Sequence, residues 1–90
     1  MSVRPGRIHH ANGTATTTPA KISVKRGVGQ WVRIGNLDGT NNLEVSFDGG
    51  VNYYTIEPGD PPFEAPALFH FFFVRSSAAT VDYSAAYIGG

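Results

Sequence analysis

His9 and His10 are the first side chains in the sequence able to ligate a metal ion. On an extended chain, neighbouring side chains point to opposite sides, and no third ligand lies near, so the pair predicts no metal centre. His70 sits inside an apolar run and is expected to be a structural histidine. The stretch Asp38-Gly39-Thr40-Asn41-Asn42-Leu43-Glu44 carries oxygen ligands, but it lacks the alternate-residue spacing and the terminal bidentate glutamate of a calcium loop. It reads as a polar turn. Asn12-Gly13-Thr14 matches the N-glycosylation acceptor pattern, yet Met1 to Arg7 lack the apolar core of a secretory signal. No nucleophile stands beside a base. Glu44 and Asp48 fall on the wet face of one strand, as solvated carboxylates do, and Asp48-Gly49-Gly50 caps a hairpin rather than opening a phosphate-binding helix. Neither an enzyme nor a cofactor is expected.

The stretch Asn42 to Ile56 positions most of these groups, and it reads as one β-hairpin. Leu43, Val45 and Phe47 alternate with Glu44, Ser46 and Asp48, the period of a strand with one buried face. Asp48, Gly49 and Gly50 form the reversal: a two-residue type I′ turn needs φ > 0 at both central positions, which glycine adopts without a Cβ clash. Pairing Asp48 with Val51 then puts Val45 opposite Tyr54 and Leu43 opposite Ile56, so apolar residues share a face.

Composition bounds what this hairpin can belong to. Ninety residues make one small domain. The absence of cysteine removes disulfides, thiolate nucleophiles and cysteine metal sites, which leaves oligomerisation to reinforce a modest core. Lys and Arg balance Asp and Glu at seven each, so no electrostatic footprint for nucleic acid or an anionic membrane is expected. No run approaches the roughly 20 apolar residues of a membrane helix. Synthesis in the cytoplasm, with any export by another route, is the expectation.

Residues 1–19 are rich in Gly, Pro and Thr and read as an extended N-terminal arm, able to add an edge strand to a partner; residues 20–90 read as the folded domain. Within it, strands are expected over Ala20 to Arg26, Gln30 to Gly35, the two hairpin arms, Leu68 to Val74, and Thr80 to Tyr87, the last two as a hairpin. Glu57 to Pro62, with three prolines, predicts a stiff connection. No segment has helical periodicity. Such spacing predicts an all-β fold, a small antiparallel β-sandwich of jelly-roll or immunoglobulin-like type. Its core would hold Ile22, Val24, Val32, Ile34, Leu43, Val45, Phe47, Ile56, Phe72, Val74, Val81 and Tyr83.

An aromatic excess remains. With Leu68, His70, Phe72 and Val74 inward, Phe69, Phe71 and Phe73 point outward, and Trp31 and Tyr53 also lack a place inside. Exposed aromatics in such number predict a protein interface at Trp31, Tyr53, Phe69, Phe71 and Phe73, unless the arm folds back over the phenylalanines.

The run Ile34 to Gly50, containing Asn36-Leu37-Asp38-Gly39-Thr40-Asn41 and Ser46-Phe47-Asp48-Gly49-Gly50, continues through Tyr53-Tyr54-Thr55-Ile56-Glu57-Pro58-Gly59 and Val74 to Tyr83. Over roughly residues 30 to 88 it resembles small virion proteins of tailed bacteriophages, in which an Asn-Leu-(Ser/Asp)-x-Thr-Asn stretch precedes a Ser-Phe-Asp-Gly-Gly hairpin and a terminal strand pair follows. The proline-rich Pro58 to Pro66 connection and the aromatic Phe69 to Phe73 strand depart from that pattern. The resemblance implies a capsid cement or decoration protein, a homo-oligomer and often a trimer, that binds a major capsid protein lattice on the phage head. Its alternatives are a head-to-tail or tail-associated accessory protein, or a carbohydrate-binding module in which Trp31 and a tyrosine of Tyr53-Tyr54 stack on sugar rings.

Overall fold

The computed structural model of the chain describes residues 7–25 and 27–89. The first six residues of the expected arm, and Arg26 at the end of the strand expected from Ala20, lie outside the described residues. Among the described residues the regular structure is entirely β: β1 (Arg7–His10), β2 (Gly13–Ala15), β3 (Ala20–Ser23), β4 (Gly29–Asn36), β5 (Leu43–Ser46), β6 (Tyr54–Ile56), β7 (Phe63–Phe69), β8 (Phe71–Ser76) and β9 (Val81–Gly89). Two antiparallel sheets form a β-sandwich. Sheet A has the order β1-β9-β4-β7, with β2 also on β9, and sheet B the order β3-β8-β5-β6. Since β1 and β2 share one edge of β9, they act as a single interrupted strand. The remaining order is that of a jelly roll, in which consecutive strands cross between sheets everywhere except the β5–β6 hairpin.

Inward alternation builds the core. On β9, Val81, Tyr83, Ala85 and Tyr87 are buried between the sheets, and they meet Val32 and Ile34 of β4, Leu43 and Val45 of β5, Ile56, Phe72 and Val74. Each such large side chain contributes about 1.5–3 kcal/mol when withdrawn from water. Ile22, Val24 and Phe47 of the expected core pack at its margin, half-buried.

The arm differs from expectation. Residues 7–15 do not stand apart from the 20–90 domain: Arg7 to His10 pair with Gly89 to Ala86, and Gly13 to Ala15 pair with Tyr83 to Val81. The interruption between them is bridged as the Ala11 amide donates to the Ala85 carbonyl and the Asn12 side-chain oxygen accepts from the Ala85 amide, both at 2.9 Å. Polar composition did not prevent this, because an edge strand needs only backbone groups and an occasional small inward residue. Ala15 is that residue, 1% exposed.

The aromatic run also differs. It is two strands in two sheets, with the bend at His70, whose carbonyl accepts from the Val24 amide at 2.9 Å. That one-residue corner reverses which parity faces the core: odd positions point inward on β7 and even positions on β8. Phe69 is therefore a core residue, 6% exposed, while Leu68 is 80% exposed and His70 lies on the surface. The same topology separates β8 from β9, which lie in different sheets and form no hairpin. Pro66 is accommodated because, among the described residues, β7 is an edge strand paired to β4 alone.

Candidate protein-binding faces

The hairpin ladder runs Leu43–Ile56, Glu44–Thr55 and Val45–Tyr54, the expected register, but it ends there and Asp48–Val51 is not a ladder pair. The Asp48 carboxylate replaces it. One oxygen accepts from the Ser46 hydroxyl (2.7 Å), the Val51 amide (3.1 Å) and the Asn52 amide (2.9 Å); the other accepts from the Asn52 side-chain amide (2.8 Å). These donors, the Asn52 amide foremost, hold its pKa down at about 2. Ser46, expected on the wet face, is 1% exposed, since its hydroxyl also accepts from the Gly50 amide at 2.9 Å. Gly49 and Gly50 adopt φ of 78° and 90°.

The outer face of sheet B carries the expected aromatics Phe71, Phe73 and Tyr53, all half-buried. Phe71 and Phe73 meet edge to face at 5.7 Å. The Lys21 ammonium lies 4.5 Å from the Phe71 centroid, and the Arg75 guanidinium 3.6 Å from that of Tyr53. Arg75 is held there by Glu44, directly across the ladder, at 2.6 Å; that hydrogen bond also raises the arginine pKa. Cations over ring faces stabilise the strip while leaving its rings partly in contact with solvent. An open depression beside the strip, lined by Val45, Phe47, Asp48, Asn52, Tyr53 and Tyr54, is largely apolar in chemistry because Asp48 is already engaged by its own loop.

Trp31 lies elsewhere. It pairs with Ile88 and Pro66, on the outer face of sheet A. The five residues expected to form one interface thus divide: Phe71, Phe73 and Tyr53 on sheet B, Trp31 on sheet A, Phe69 in the core. Sequence reading missed the other large apolar side chains of sheet A's outer face, Ile8, Leu68 and Ile88. The alternation of Ile88 against Tyr87 carried that signal for β9; no signal placed Ile8, because the arm had no assigned partner. The two histidines also part, His9 stacking on Tyr87 at 5.0 Å while His10 is exposed. Among the described residues no three His, Asp or Glu side chains converge to hold a metal ion.

Comparison with family models, curated proteins and solved structures gives no match for this chain.

Proposed function

We propose that the protein is a non-enzymatic virion component of a tailed phage, a capsid cement or decoration protein that works by protein–protein contact. The observation that carries this reading is the strip on the outer face of sheet B: Phe71 and Phe73 in edge-to-face contact with Lys21 over the Phe71 ring, and Tyr53 under the Arg75 guanidinium. Interfaces are enriched in aromatics and arginine at their centres. The jelly roll supports the reading by analogy alone, since viral capsid and lectin domains both use it. The partners are further copies of the chain and a major capsid protein lattice, and the location is the head surface after synthesis in the host cytoplasm. A head-to-tail or tail-associated position would use the same strip.

The carbohydrate-binding alternative draws less support. It needs Trp31 beside Tyr53 or Tyr54, whereas Trp31 belongs to sheet A and both tyrosines to the β5–β6 side of sheet B. The deciding experiment is co-sedimentation with phage heads stripped of accessory proteins. Wild-type protein is expected to pellet saturably and the Phe71→Ser, Phe73→Ser double variant to stay in the supernatant. A saturable change of Trp31 fluorescence on a glycan panel, with no pelleting, would favour the sugar reading.

A further inference from the structure

We propose that the outer face of sheet A is where the protein meets a second copy of itself, face to face about a two-fold axis that runs along the strands between β9 and β4. The backbone register places Ile8, Ile88, Trp31 and Pro66 in one row across all four strands. Ile8 is 63% exposed, and Leu68, the next outward residue on β7 after Pro66, is 80% exposed. The neighbouring row is His10, Ala86, Arg33 and Glu64. Apolar side chains aligned across an entire sheet face, at about 4.8 Å per strand, make a continuous patch rather than scattered exposure.

The order within the two rows identifies the occupant as a second copy. A two-fold axis along the strands reverses each row: Trp31 then faces Ile88 of the second copy, and Ile8 faces its Pro66. In the neighbouring row the reversal sets the Glu64 carboxylate opposite the His10 imidazole, and Arg33 opposite Ala86, the smallest side chain of that row. Acceptor meets donor, and the longest side chain meets the shortest. Within one copy Arg33 and Glu64 lie 3.8 Å apart with both side chains about half exposed, so neither is committed. The four strands overlap over Gly29 to Ile34 of β4 and its partners, a face about 19 Å wide and about 20 Å long, so about 380 Å² per copy and about 760 Å² in total, the size of a weak, reversible contact. This contact is independent of the particle reading, which uses the opposite sheet.

The test uses the full chain. Light scattering and sedimentation equilibrium are expected to give twice the chain mass of 9.6 kDa, and on dilution the emission of Trp31, the sole tryptophan, should shift to the red as the mass halves. Ile8→Lys with Leu68→Lys should raise the dissociation constant by at least about 100-fold with an unchanged circular dichroism spectrum. If that variant does not fold, the charge exchange decides: Glu64→Lys should weaken the dimer and the addition of His10→Glu should restore it. A monomer at all concentrations, a trimer, or a dimer indifferent to these substitutions would overturn the proposal. Loss of head binding by the Phe71→Ser, Phe73→Ser variant with its dimer intact keeps the two readings distinguishable.

Discussion

Asp48 acts as a backbone substitute: its carboxylate collects the amides that a tighter hairpin would have paired across the ladder. Its pKa of about 2 lies below the ordinary 3.8, so the stability it lends is present in full above about pH 4 and is lost as pH falls through 2. Asp38, lowered by the Asn41 and Thr40 amides, acts with the same sign. Urea midpoints of the wild type should therefore fall between pH 4 and pH 2, and Asp48→Asn should fall less over that window while being the less stable variant at pH 7. Parallel curves would remove Asp48 from the account. Gly49→Val is expected to cost about 1 kcal/mol or more, from φ rather than crowding, since a Cβ at Gly49 meets open space. The sequence revealed the register here because the apolar positions of both arms specify it. It did not reveal where the ladder stops, because Ser46 and Asp48 look like solvated residues until their hydrogen-bond partners are known.

At the scale of the elements, the corner at His70 decides the fate of the phenylalanines. Alternation was legible within β7 and within β8, but a continuous apolar run contains no mark of a sheet change, and one residue of bend exchanges core and surface for everything that follows. The consequence is a graded set of outcomes in thermal and urea unfolding. Phe71→Ser with Phe73→Ser should leave a cooperative β domain, whereas Phe69→Ala should cost about 3–5 kcal/mol as a buried ring is lost. Gly29 belongs to the same element pair, since a Cβ there would overlap the Phe69 ring. Gly29→Ala is thus expected to destabilise by about 1–3 kcal/mol, and the combination Gly29→Ala with Phe69→Leu by less than the sum of the two.

For the whole molecule, the sandwich was readable from strand spacing and turn composition, and the choice of jelly roll was not, because the Ser76 to Thr80 link can close a hairpin or cross between sheets with equal local chemistry. The crossing is visible only in its anchors: the Ser77 amide donates to the Asn42 carbonyl, and the Ser76 hydroxyl to the Ala79 carbonyl, with Ala79 at a φ of 53°. The arm was misplaced for a related reason, since a polar strand is recognised by its partner and not by its own pattern. Deleting residues 1–15 should lower the melting temperature and cause aggregation visible by light scattering, because β9 would present a long bare edge and Tyr87 would lose His9. A truncated protein as stable and soluble as the full chain would show the arm to be dispensable. The pairing of β9 with β1, β2 and β4 also governs how the protein is made. Sheet A has no centre until β9 has left the ribosome, so the strands that precede it emerge with an unfinished layer and must wait. Folding of this domain is expected to await β9 and, with its strand pairs so distant along the chain, to take milliseconds to seconds rather than microseconds.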